Sequence, residues 1–161
     1  MTAPATLEAV RKSITVQAPL ERAFSVFTDG IGSWWPPEHH IIQAPLDKMV
    51  VELRPGGRCY DLGVDGSECD WGRVLAYQPP TRFVLAWHLG TDWAYDPDPA
   101  HASEVEVQFT ADGPNATRVD LTHRHLERHG AGAEQMRAAV DSPDGWNRGL
   151  TRYAETAAAA R

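Results

Sequence analysis

From Met49 to His125, apolar and polar residues alternate in short runs, and each run is cut by a turn signal. Met49, Val51 and Leu53 alternate with Val50, Glu52 and Arg54, and Pro55-Gly56-Gly57 then turns the chain. Residues 58–64 and 67–77 flank Asp65-Gly66, a strong hairpin signal. A two-residue loop there would set Tyr60 opposite Trp71, Leu62 opposite Cys69 and Cys59 opposite Gly72. After Pro79-Pro80, a run of Phe83, Leu85, Trp87 and Leu89 alternates, and then one of Val105, Val107 and Phe109. Asp112-Gly113-Pro114-Asn115 leads into a last run, where Val119, Leu121, His123 and His125 share one face. Strands joined by turns this short pair antiparallel. A sheet with one apolar face must bury that face against something else.

The ends of the chain supply the cover. Residues 1–7 read as a frayed terminus, and Val10 to Val16 as a strand with Ile14 and Val16 on one side. Pro19 suits the first helical position, and Leu20, Ala23, Phe24 and Phe27 form one stripe of a short helix. Residues 28–30 end it. Residues 31–35 make a second short helix or turn, stopped by Pro36-Pro37. Residues 133–140 suit another short helix. Ser142 then offers an N-cap, Pro143 a first helical residue and Asp144 a favourable charge at the positive end of the dipole. Trp146, Leu150, Tyr153, Ala154 and Ala157 follow at helical spacing, giving a long helix with one buried face. The expected class is α+β. A curved antiparallel sheet wraps around a long C-terminal helix, with two short helices after the first strand. One domain over 1–161, with its core at about 8–157, accounts for the pattern.

Composition removes several functions. The net charge is −7, from 22 acidic and 15 basic residues, and no Lys/Arg run exceeds two. Nucleic acid and an anionic membrane are therefore poor partners. No segment has the form of a signal peptide or approaches the roughly 20 apolar residues of a membrane span. Cys59 and Cys69 form neither a CxxC pair nor a disulfide framework, so a reducing cytoplasm suits the chain. The assumed register places the two thiols on opposite faces of the hairpin, reduced and unbridged.

Several phrases, taken in order, resemble one family. They are residues 18–24 (APLERAF), Trp34-Trp35-Pro36, Pro55-Gly56-Gly57-Arg58, residues 65–68 (DGSE) and Trp71-Gly72-Arg73-Val74. Residues 79–84 (PPTRFV), Trp87-His88, residues 117–123 (TRVDLTH) and Gly145-Trp146 continue the series. The set resembles the START-like (SRPBCC) superfamily with its helix-grip fold, and within it the heat-shock-protein ATPase activator homologue family. The resemblance runs over roughly residues 8–157. It implies a cavity between sheet and last helix, apolar small-molecule ligands, and in some relatives cyclisation or dehydration. The eukaryotic namesake's extra N-terminal chaperone-binding domain has no counterpart in this sequence, which begins almost at the first strand.

Six tryptophans stand out, at 34, 35, 71, 87, 93 and 146. Trp35, Tyr60, Trp71, Phe83, Trp87, Leu121 and Trp146 are the expected pocket wall, which would equally serve as plain core. His123 and His125, two apart on an apolar strand face, are the expected polar lining, and His123 is the candidate acid/base. A satisfied core histidine is the competing use. His39-His40 sits in a loop, where adjacent side chains point apart. No ligand spacing supports a metal, and no motif requires a cofactor. Glu52, Asp61, Glu68 and Asp70 read as solvent-facing strand carboxylates, any of which would matter if buried beside His123. Residues 90–103 form a long connection carrying Trp93 and Tyr95. That connection suits either a lid over the pocket mouth or a surface contact, including a homodimer with a second copy. Three functions follow: binding of a small apolar or aromatic molecule, a cofactor-free cyclase, dehydratase or hydrolase, or a chaperone-activator-like interaction factor.

Overall fold

The structure is a computed structural model that describes residues 7–36 and 39–159. Pro37, half of the expected proline stop, and residues 1–6 of the expected frayed terminus lie outside the described residues. Leu7 is held, its N–H donating to the Glu127 carboxylate at 3.2 Å.

Seven strands form one antiparallel sheet in the order β1-β7-β6-β5-β4-β3-β2. They are β1 (Val10–Val16), β2 (Leu46–Val51), β3 (Arg58–Gly63), β4 (Glu68–Gln78), β5 (Arg82–Trp87), β6 (Ser103–Ala111) and β7 (Thr117–Arg124). Among the described residues four α-helices accompany them: α1 (Leu20–Thr28), α2 (Ile31–Trp34), α3 (Ala133–Asp141) and α4 (Trp146–Ala159). This is the helix-grip arrangement, with α4 laid over the inner face of the sheet and against α1, α2 and β1.

Periodicity explains the packing. Trp146, Leu150, Tyr153 and Ala157 of α4 are buried, as their spacing requires. The Tyr153 hydroxyl donates to the Ala23 carbonyl of α1 at 2.6 Å, which locks the two helices together. Below them, Phe27 meets Phe83, Phe109 and Tyr153 edge-to-face, a solid aromatic core. β5 is buried on both faces. Its outward Val84 and Ala86 lie beside Glu106, Glu104 and Arg73 on the flanking strands, long side chains whose stems can roof the small apolar ones.

Three expectations need correction. First, α4 starts at Trp146 rather than at Pro143. Ser142 instead closes α3, and residues 142–145 form a turn closed by the Gly145 N–H to the Ser142 carbonyl. Second, β7 ends at Arg124, because His125 enters the left-handed region at φ 62°. Its ring therefore leaves the inner face and lies 3.9 Å from the Glu127 carboxylate. Third, the β3–β4 hairpin has a three-residue loop, Val64-Asp65-Gly66, with Gly66 at φ 85°. Tyr60 thus faces Asp70 and Leu62 faces Glu68. A one-residue slip of this kind turns a side chain to the other face. Tyr60 is therefore opposite in parity to the inward Cys59 and Asp61, with the Arg58 guanidinium 4.2 Å over its ring. A bulge at Trp71 restores the expected Cys59–Gly72 pairing. Gly72 is required there, since a Cβ would stand 2.6 Å from the Ala86 carbonyl.

The same register places Cys59 and Cys69 on one face rather than two, because Asp61 lies two residues from Cys59 and opposite Cys69. Both thiols are free. Burial pushes the Cys59 thiol up to about 12, and burial also raises Cys69. Thiol titration should count two in denaturant. In the native protein Cys59 should be silent and Cys69 slow, since the thiolate is the reactive form. Rapid native reaction at both positions would contradict this burial.

Candidate functional site

The inner face of the sheet is filled only in part. At the end nearest α2, a cleft of about 390 Å³ remains open. Trp35 and Pro36 wall it after α2, Trp87 and Leu89 at the end of β5, and Trp146 and Gly149 on α4. Val140 and the 142–145 turn close one side, and His39, His40 and Ile41 another. A small void of about 10 Å³ shares Trp35, His40 and Leu89 with the cleft and adds Met49, Asp61 and Trp71.

Three indoles, Trp35, Trp87 and Trp146, make the floor, and Trp71 packs against them. Trp35 stacks on Trp71 at 5.7 Å between ring centroids and meets Trp146 edge-on at 5.8 Å. Trp87 lies 5.7 Å from Trp146 and 6.3 Å from Trp71. The ring N–H groups of Trp71 and Trp87 are buried and have no hydrogen-bond partner among the described residues. Such orphans are rare in a settled core.

Behind this floor runs a chain of hydrogen bonds whose direction is fixed. An indole N–H can only donate, so the Trp146 Nε1–H gives its proton to His123 Nδ1 at 3.1 Å. A neutral His123 then carries its own proton on Nε2 and donates to Ser103 Oγ at 2.7 Å. The Ser103 hydroxyl is left to donate to His129 Nε2 at 2.7 Å. A second proton on His123 would confront the Trp146 donor. Burial, and secondarily the charge of His129, push its imidazole down to about 3.

His123 therefore differs from the expectation that it would present its ring to the cavity. It is 0% exposed and lines neither the cleft nor the void, standing behind Trp87 and Trp146. Of the other expected site residues, Trp35, Trp87 and Trp146 line the cleft and Trp71 the void. Phe83 and Leu121 are solid core, while Tyr60 and His125 point elsewhere.

The carboxylate pattern also departs from expectation. Asp61 is 1% exposed, and its partner is His40 rather than His123. Its Oδ1 lies 3.3 Å from His40 Nδ1, and its Oδ2 accepts the Ile41 N–H at 3.2 Å. The signal for this was present, since Asp61 shares strand parity with Cys59 and so sits on the apolar face. What the sequence did not offer was the folding-back of residues 39–41 onto it.

The 90–103 connection is short-circuited by a bridge between Leu89 and Tyr95, and Arg73 donates to the Tyr95 hydroxyl at 3.1 Å. Trp93 is held at the tip with φ 61°, 45% exposed, at the cleft mouth. Backbone in that region is strained for a bulky residue, and ligand clamps are one place where such strain is found.

Two outcomes follow for His123. His123→Leu should orphan the Trp146 indole N–H and remove the Ser103 partner, costing about 2–3 kcal/mol in urea unfolding. Its pH signature has a defined sign. The folded-state value lies below the ordinary 6.5, so the stabilisation is complete above 6.5 and is lost as pH falls toward 3. His129, lowered mainly by burial, acts in the same sense. The exposed His101, raised by its hydrogen bond to Asp96, acts weakly in the opposite sense. Asp70 and Asp141 are held low chiefly by Arg58 and Lys12, and they add their own loss only below the carboxylate range. Urea midpoints between pH about 6.5 and about 4.5 should thus fall in the native protein and flatten in His123→Leu. Equal slopes in both would contradict the buried neutral imidazole.

Comparison with known proteins bears on this geometry. Anthrahydroquino-γ-pyrone synthase Txn09, solved in complex with SUM, is similar at 40% identity over 93% of this chain and 97% of that one, with a TM-score of 0.65. CalC, a self-sacrificing resistance protein from Micromonospora echinospora, is similar at 33% identity, covering 93% and 94%, with a TM-score of 0.68. A Rhodobacter sphaeroides protein at 18% identity, covering 99% and 97% with a TM-score of 0.66, shares the fold. No curated protein matches the chain. Among the described residues, no helix is long and apolar enough to cross a membrane. The family described as activator of Hsp90 ATPase homolog 1-like protein matches residues 17–158, and this chain belongs to it.

Proposed function

We propose that the protein binds a small, flat, mostly apolar molecule, of aromatic or fused-ring character, in the cleft between α4 and the end of β5. The observation that carries this reading is the set of three indoles, Trp35, Trp87 and Trp146, lining about 390 Å³ of open space, with Trp71 stacked on Trp35. Pockets of this size with aromatic walls and few polar groups suit ligands of drug-like dimensions. Indole faces favour stacking on planar rings. A similar protein is named for making an anthrahydroquino-γ-pyrone, and that name supports a fused-ring ligand here. The chaperone-activator alternative rests on the family description alone, and no feature of this site adds to it.

A titration with 1,8-dihydroxyanthraquinone tests the reading. Tryptophan emission should quench saturably. Trp35→Ala should weaken binding about tenfold, equivalent to about 1.4 kcal/mol, by removing the ring that stacks on Trp71. Quenching that stays linear in ligand, or is unchanged by Trp35→Ala, would sink the proposal.

A further inference from the structure

We propose that His40, positioned by Asp61, is a general base inside the cleft, acting on a carbon acid carried by a flat carbonyl-bearing ligand. The inference rests on the ligand-binding reading above and adds a reaction to it. Its starting point is the cost of Asp61. An apolar side chain on the inner face of β3, between Cys59 and the tryptophans, would be cheaper to bury than a carboxylate. Asp61 is nevertheless there, and it has two jobs on one short segment: it accepts the Ile41 N–H at 3.2 Å and meets His40 Nδ1 at 3.3 Å. The other end of the segment is pinned too, because the Trp35 indole N–H donates to the His39 carbonyl at 3.4 Å.

The tautomer follows from donor rules. An ionised carboxylate only accepts, so the hydrogen bond requires the proton on His40 Nδ1. That leaves a lone pair on Nε2. No described residue takes it, and His40 lines both the cleft and the void behind it. A base oriented by a buried acid, at the edge of an aromatic pocket, has the arrangement that general-base catalysis needs.

The step balances without a co-reactant. A C–H bond beside a ligand carbonyl breaks, and its proton passes to His40 Nε2. The electron pair moves into the carbonyl, giving an enolate oxygen. The imidazolium, paired with Asp61, then returns the proton to the same carbon or another. The substrate class is a planar aromatic ketone or β-dicarbonyl, and the reaction class is proton transfer at carbon. His123, sealed behind the indoles, takes no part.

The probe 5-nitrobenzisoxazole tests this without knowledge of the natural ligand. A base removes its ring C–H proton, the N–O bond breaks, the C–H pair forms the nitrile and the N–O pair stays on oxygen as a coloured phenolate. The native protein should turn the probe over with saturation, faster than free imidazole at equal concentration. His40→Gln should lower kcat about 100-fold. Asp61→Asn should lower kcat while KM stays within about twofold, the mark of a positioning residue rather than a binding one. His101→Ala, an exposed histidine outside the cleft, should leave the rate unchanged. Quenching of tryptophan emission by the probe reports occupancy separately and confirms that each variant is folded. Saturable quenching with a rate unaltered in His40→Gln overturns the inference and leaves the binding reading standing. No saturable quenching by either this probe or the anthraquinone overturns both.

Discussion

One helix cannot cover this sheet. Seven strands at about 4.8 Å spacing make a surface about 29 Å across. A helix of 14 residues is about 21 Å long and about 10 Å thick. The inner face therefore needs other cover. α1 supplies it on one side, where Phe24 and Phe27 complete a dry aromatic core with Phe83, Phe109 and Tyr153. On the other side the cover is thin: the indoles of Trp35 and Trp146, the short segment 39–41 and the tip of the 90–96 excursion. The cleft is what remains when large flat side chains span a gap that no helix fills.

The placement of α4 depends on a polar contact inside that apolar setting. Trp146 begins the helix and donates to His123 near the end of β7. Because each donor in the chain from Trp146 through His123 and Ser103 to His129 has one acceptor, the contact has a single orientation. A buried polar chain with every member satisfied specifies one arrangement, whereas apolar packing alone tolerates small slides. The same tie sets the attitude of the Trp146 ring, which is a wall of the cleft. A histidine that reads as chemistry in the strand pattern is thus part of the frame.

The proposed chemistry lies one layer forward, where Asp61 and His40 meet. These residues are 21 apart in sequence. They touch because Ile41 offers its N–H to the other oxygen of the same carboxylate. Both the frame and the proposed reactive pair use histidine, but burial separates their roles. His123 is wholly enclosed and has both ring nitrogens engaged. His40 has one nitrogen engaged and lines the cavity.

Local sequence determined the element types and their order, because alternation and helical spacing are properties of neighbouring residues. The strands from Val10 to Arg124, the stripe of α1 and the buried face from Trp146 to Ala157 were all legible in this way. So were Trp35, Trp87 and Trp146 as aromatic candidates, since large rings stand out by type. Three things waited for the tertiary structure. The face taken by Tyr60 depended on whether the hairpin loop held two residues or three, a choice that Asp65-Gly66 permits either way. The turn of His125 out of the sheet depended on a single left-handed residue. The burial of Asp61 and its pairing with His40 depended on a segment folding back across the sheet, a contact between distant residues that no local period records. Which histidine frames the pocket and which one faces it was decided only there.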